Sequence, residues 1–248
     1  MLEMKNEAEI SQMREAGKIL AEVLDLVEKE IKPGVTTEHL DKIAEKHIKY
    51  RGATSAFKGY RGFPATLCTS VNEQVVHGIP GVRVLKNGDI ISIDCGVLHN
   101  GFYSDAARTF AVGDISEEYS RLLEVGAESL KIGIAQIKQG NRLSDISAAI
   151  QTYVERNGMS VVRDYTGHGI GRKLHEPPEV LNFGRPGRGP RLEKGMVLAI
   201  EPMVNLGSYH VEVLEDEWTV VTQDRKASAH FEHTVAIREN GYEILTVL

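Results

Sequence analysis

"DIISIDCGVLHNGFYSD", residues 89 to 105, decides how the chain folds. Ile and Cys recur through its first half in the alternation of a strand entering a core. Asn100-Gly101 then gives the strongest short hairpin signal, because the type I′ two-residue turn needs φ > 0 at both central positions. Counting back from that turn pairs His99 with Phe102 and sets Gly96 opposite Asp105. Asp94 and Gly96 lie on one strand face, so Asp94 and Asp105 become diagonal neighbours, roughly 7–8 Å apart or somewhat less. A carboxylate is among the last groups a core accepts. Two of them so close repel, and one protonates unless a cation is shared between them. Gly96, lacking a side chain, reads as space left beside the pair. The competing reading puts both aspartates in water on a half-exposed sheet.

Outward from this hairpin, the pattern alternates between helices and strands. Ile10, Met13, Gly17, Leu20, Leu24, Val27 and Ile31 fall at helical spacing over 7–31, with Asn6 and Glu9 as a capping pair and Pro33-Gly34 as the stop. Thr37 opens a second helix, with Leu40, Ile43, Ala44, His47 and Ile48 on one face and Gly52 as its end. Short apolar runs from Ala65 to Val112 read as antiparallel strands. Helices return at 116–137 and 144–157, and strands follow from Val161 onward.

The two halves also match in detail. "IKPGVTTEHLDKIA" (31–44) aligns with "IKQGNRLSDISAAI" (137–150) at an offset of 106, and "KNGDIISID" (86–94) with "EKGMVLAIE" (193–201) at 107. A nearly constant offset predicts a duplicated α+β half and a pseudo-twofold architecture. It makes Glu201 the counterpart of Asp94, each six residues after an equivalent glycine.

Composition narrows the classes. The chain has 248 residues, 42% hydrophobic and 26% charged, which suits one α/β unit of ordinary globular character. A net charge of −6 argues against nucleic-acid or anionic-membrane surfaces. Two cysteines, Cys68 and Cys95, leave no disulfide framework and no cysteine-rich zinc site. The start, "MLEMKNEAEI", lacks the apolar region of a signal peptide, and no apolar run reaches the ~20 residues of a membrane span. A reducing cytosol fits these features.

Further acids and histidines occur in strand-like contexts. Glu201 follows "MVLAI" (196–200) and Glu232 sits within "AHFEHTVAI" (229–237). "TGHGIGRKLHEPP" (166–178) places His168 between two glycines, where backbone approaches a ligand closely, and His175 seven residues on. His77 precedes a glycine in "VVHGIPG" (75–81). "GHGIGR" lacks the spacing of a dinucleotide fingerprint, and no nucleophile elbow is present. His230 and His233 read as turn or strand residues.

The set Asp94, Asp105, His168, Glu201 and Glu232, within "IDCGVLHNGFYSDAARTF", "GHGIGRKLHEPP", "IEPM" and "FEHT", resembles the methionine aminopeptidases, most closely their type I bacterial form. The resemblance runs from "MREAGKI" to "ENGYEILT". It implies the α+β pita-bread fold of creatinases and aminopeptidases, with two related halves of antiparallel sheet and flanking helices. It implies one catalytic domain over 1–248, with halves of about 1–115 and 116–248. The five residues would ligate two divalent metal ions, of Co, Mn, Fe or Zn. Glu201 would also shuttle a proton, His175 would hydrogen-bond the substrate carbonyl or oxyanion, and His77 would contact the substrate amide nitrogen or stabilise the intermediate. Phe57, Tyr60, Phe63, Cys68, Leu174 and Trp218 would form the methionine pocket. Many relatives carry a small Cys at the Phe57 position and a Phe at the Leu174 position, so the pocket here departs in shape. The implied partners are nascent peptides with an N-terminal methionine, with the ribosome as a further candidate and neither nucleic acid nor membrane. A cytoplasmic monomer is implied. The alternatives are an X-Pro aminopeptidase or prolidase-like peptidase, and a non-catalytic peptide-binding module on the same fold.

Overall fold

A computed structural model describes residues 2–248. Helix α1 (Glu7–Glu30) begins with the expected capping box, Asn6 accepting from the Glu9 amide and the Glu9 carboxylate from that of Asn6. Helix α2 opens at Thr37 as expected and runs to Tyr50, capped by Thr36, whose hydroxyl accepts from the His39 amide. The later helices, α3 (Glu117–Ile134) and α4 (Leu143–Arg156), depart by one to three residues at each end from the sequence expectation.

The strands of the first half are β1 (Thr54–Ser55), β2 (Leu67–Val71), β3 (Gln74–Val76), β4 (Ile90–His99) and β5 (Phe102–Ala111). Those of the second begin with β6 (Ser160–Val161), β7 (Gly167–Gly169), β8 (Glu176–Val180), β9 (Val197–Ile200) and β10 (Met203–Asn205). They continue with β11 (Val211–Val213), β12 (Val220–Thr222), β13 (Ser228–His230), β14 (His233–Arg238) and β15 (Gly241–Ile244). Every pairing between them is antiparallel. β4 lies between β1 and β2 and also pairs β5, whereas β9 is central in the order β15-β14-β9-β7-β8.

The β4–β5 hairpin has the register read from the sequence: His99 opposite Phe102 and Gly96 opposite Asp105, around Asn100 (φ 49°) and Gly101 (φ 81°). Along β4, Ile91, Ile93, Cys95 and Val97 enter the core beneath α1 and α2. The pleat therefore turns Ser92, Asp94 and Gly96 to the opposite face, which meets the second half. That is why Asp94 is buried rather than solvated.

The duplication is visible in the backbone. Gly88 (φ 96°) and Gly195 (φ 93°) make the same left-handed turn before β4 and β9. The isolated bridges Thr36–Val84 and Arg142–Arg191 also occupy equivalent places in the two halves. A second core, including Leu122, Ile146, Ile150, Leu198, Ile200 and Val235, lies under α3 and α4. Between the halves a third cluster joins Met13, Phe63, Cys68, Ile170, Leu174 and Leu245. Among the described residues, no helix is long and apolar enough to cross a membrane.

Gly17 tests how tightly these layers meet. A Cβ there would stand 2.0 Å from the Leu245 carbonyl oxygen. Gly→Ala inside a helix ordinarily stabilises by about 1 kcal/mol. Here backbone would have to move, so Gly17→Ala is expected to destabilise by about 1–3 kcal/mol in urea unfolding. A neutral or stabilising result would contradict the packing.

Candidate metal centre and substrate cavity

Four strand segments carry the acids to one place. Asp94 and Asp105 come from the β4–β5 hairpin. Glu201 and Glu232 lie just outside β9 and β14, at the end where Ile200 pairs with His233. The two halves are stitched beside them. The Thr234 hydroxyl accepts from the Asp105 amide (2.9 Å) and donates to the Asp105 carbonyl (2.7 Å), and the Glu232 amide donates to the Ala107 carbonyl (2.9 Å). His168 sits on β7, paired to Ala199 of β9.

One cavity brings together Asp94, Asp105, His168, Glu201, Glu232, His77, His175 and the expected pocket residues Phe57, Tyr60, Phe63, Cys68, Leu174 and Trp218. Asp105, His168 and Glu232 offer ligand atoms within 4.8 Å of one another. His168 Nε2 is 3.6 Å from Glu201 Oε1 and 3.9 Å from Asp105 Oδ2.

The electrostatics are those of an uncompensated anionic cluster. Asp94 is pushed up to about 7, chiefly by burial and in part offset by hydrogen bonds from Asp105 and Cys68. Asp105, Glu201 and Glu232 are driven well above the carboxylate range, first by burial and then by the charge of the neighbouring acids, Asp94 among them in every case. Oδ1 of Asp94, Oδ1 of Asp105 and Oε1 of Glu232 are buried without a hydrogen-bond partner. Among the described residues, no lysine or arginine forms an ion pair with any of the four. His168 Nδ1 lies 2.9 Å from the Gly169 carbonyl, which can only accept. Nδ1 therefore carries the proton, and the bare Nε2 lone pair faces carboxylate oxygens. Burial also lowers His168 to about 3, keeping the ring neutral. Lone pairs aimed at lone pairs in a buried space fit a shared divalent cation.

The histidines above the cluster are shifted in the same direction. Burial lowers His77 to about 4 and, with the Arg61 charge, lowers His175. His175 Nδ1 is 2.9 Å from the Tyr60 hydroxyl, and its ring lies 4.2 Å from that of His168. His77 holds a left-handed backbone (φ 60°), uncommon for a non-glycine residue and a form of local strain seen at functional sites. The Trp218 ring meets Phe63 edge-on at 5.1 Å.

Two local readings are corrected. The space over Gly96 belongs to Phe57, whose ring would be 2.6 Å from a Cβ there, with Ala56 at 2.9 Å. The glycines flanking His168 admit neighbouring backbone rather than a ligand: a Cβ on Gly167 would meet the Ala199 carbonyl at 2.3 Å, and one on Gly169 that of Pro177 at 2.3 Å. Arg61 also lines the cavity, and His230 adjoins it. The His230 ring is buried with both nitrogens unpartnered, Nε2 being 3.7 Å from Glu201 Oε2. Its alternation with Glu232 was the available sequence signal. His233 faces away, bonded to the Thr246 hydroxyl at 2.7 Å.

A fold of two related antiparallel halves around a buried cluster of acids and a histidine defines a metallopeptidase scaffold, and the chain belongs to metallopeptidase family M24, whose model matches residues 11–239. It is similar end to end to proteins named methionine aminopeptidase. That of Clostridium perfringens is 63% identical over 248 residues, covering all of both chains. Methionine aminopeptidase 1 of Bacillus subtilis is 57% identical over 246 residues, 99% of each chain. The crystal structure of a methionine aminopeptidase from Thermotoga maritima superposes with a TM-score of 0.99 at 48% identity, covering 100% of both chains. The resemblance read from the motifs thus holds over the whole chain.

Proposed function

We propose that this protein is a metal-dependent aminopeptidase that removes the initiator methionine from new polypeptides. The observation carrying this reading is the single cavity in which three buried acids, the half-buried Glu201 and His168 Nε2 adjoin an aromatic pocket. Asp94, Asp105, His168, Glu201 and Glu232 would hold two divalent ions, with Co, Mn, Fe and Zn all compatible with the donors. Such ions, when bound, lower the pKa of water and polarise a carbonyl.

The chain's own groups do the rest. Glu201 takes the proton of the attacking water and passes it to the leaving amine. With the Tyr60 hydroxyl donating to His175 Nδ1, the His175 proton sits on Nε2, where it can donate to the substrate carbonyl oxygen as negative charge develops. His77 reaches the scissile amide nitrogen. Phe57, Tyr60, Phe63, Cys68, Leu174 and Trp218 enclose the methionine thioether, which gains ~0.3–1.5 kcal/mol from sulfur–aromatic contact. Phe57 is wedged over Gly96, so its ring forms a fixed wall of that pocket.

Residues 1–248 act as one catalytic unit, with halves of about 1–115 and 116–248. The two free, buried cysteines support a reducing cytoplasm as its setting. The reading takes the chain as a monomer acting on nascent peptides, with the ribosome as a candidate partner.

The test compares Met-Ala-Ser with Ala-Pro on metal-loaded protein. Release of methionine from the first, with little cleavage of the second, is expected. Efficient cleavage of Ala-Pro alone would instead assign an X-Pro peptidase.

A further inference from the structure

The loop that joins β7 to β8 carries both Leu174 and His175, and it rests on a buried ion pair that the proposed chemistry does not use. Lys5 is 7% exposed and Glu176 is 8% exposed, and the Lys5 ammonium pairs with Glu176 Oε2. Lys5 Nζ also donates to the Glu3 carbonyl at 3.1 Å and lies 3.8 Å from the Glu3 carboxylate. Glu176 Oε1 accepts from the Lys173 amide at 3.0 Å, so this one carboxylate joins the loop backbone to the lysine. The backbone of Lys5 is fixed in turn, its amide donating to the Gly195 carbonyl at 2.7 Å, in the turn that leads into β9. Gly171 leaves the lysine its place: a Cβ there would stand 2.1 Å from Lys5 Cε and 2.7 Å from Nζ.

We propose that Lys5 is a positioning residue for His175, acting through Glu176. Glu176 is the neighbour of His175 in sequence and opens β8 opposite Gly169. Where its carboxylate is held, the preceding residue can move little. His175 must keep its ring against Tyr60 (5.3 Å between centroids) and over His168. An unpaired carboxylate in so buried a place would turn toward water and carry the loop with it. This inference rests on the aminopeptidase reading for the role of His175, but the placement itself is independent of that reading.

The experiment is a mutant cycle of Lys5→Met and His175→Ala on metal-loaded protein with Met-Ala-Ser, read as kcat and KM separately. A displaced catalytic group costs rate, so Lys5→Met is expected to lower kcat by about tenfold or more, with KM changed less. In the His175→Ala background the same change is expected to have almost no further effect on kcat. If the two losses multiply, Lys5 is merely structural and the proposal is overturned. Gly171→Ala, which crowds Lys5 while leaving both charges in place, is a second route should Lys5→Met fail to fold, and is expected to give the same non-additivity. Failure of the aminopeptidase reading appears separately, as an inactive wild type. The proposal is then decided by NMR of the His175 imidazole. In Lys5→Met or Gly171→Ala its resonances are expected to broaden or shift while those of exposed His39 stay fixed. An unchanged His175 signal would overturn it.

Discussion

Replacing Asp94 with asparagine is expected to cost metal-dependent turnover several kcal/mol of transition-state stabilisation, on the order of a thousandfold in rate. The same variant, free of metal at pH 8, is expected to melt no lower than the wild type. The two effects run in opposite directions for one reason. The Asp94 carboxylate is 9% exposed, has an unpartnered buried oxygen and faces Asp105. Without a cation its ionised form is a burden on the fold. Asparagine keeps the shape and cannot ionise, so it removes that burden together with the ligand. Unchanged, metal-independent turnover would end the metalloenzyme reading. A large drop in metal-free stability would instead make Asp94 a structural residue.

The second large effect is a reversal in how stability responds to pH. Asp94 rises from its ordinary 3.8 to about 7 in the folded protein, so the native state holds its proton longer than the unfolded chain does. A raised carboxylate stabilises fully below its unfolded pKa, and that contribution is lost as pH climbs through the folded value. Below about 6.5 the buried histidines oppose this. His77, His168 and His230 are lowered to about 4, 3 and 3, so their contribution is present at neutral pH and lost on acidification. Above 6.5 the unfolded chain sheds the last of its histidine protons, so their opposing effect dies away and the acids come to dominate. Between pH 6.5 and 8.5 Asp94 by itself should remove about 1 kcal/mol from metal-free protein. Asp105, Glu201 and Glu232 are shifted in the same direction and add to it. The melting temperature of metal-free protein is therefore expected to fall across that window. Excess Mn or Co should raise it and reverse the slope, because binding favours the ionised donors. Parallel slopes with and without metal would contradict a shared cation site.

Features set by local chemistry were legible in the sequence. Asn100-Gly101 dictates its own turn, and that turn alone fixes the register bringing Asp105 beside Asp94. Asn6 and Glu9 cap α1 through atoms three residues apart. The equivalent turns at Gly88 and Gly195 could be aligned because a left-handed residue leaves a glycine behind. What escaped depends on partners distant in sequence. Gly96 and Phe57 are 39 residues apart, with β2 and β3 between them, and nothing local says that a ring will occupy the glycine's space. Lys5 lies in the polar stretch before α1, and its partner is 171 residues away. The alternation of His230 with Glu232 was its one local signal, and its burial beside Glu201 follows from β13 pairing β10.

The seam between the halves has a consequence for how activity is acquired. A growing chain can complete the first hairpin, with Asp94 and Asp105, long before Glu232 is made. The inner face of β4 then has no opposing half, and its two acids remain open to water. Closure comes with Thr234 and Glu232, the residues that bond to Asp105 and Ala107. On the aminopeptidase reading, the centre therefore lacks one of its acids until the last part of the chain is made.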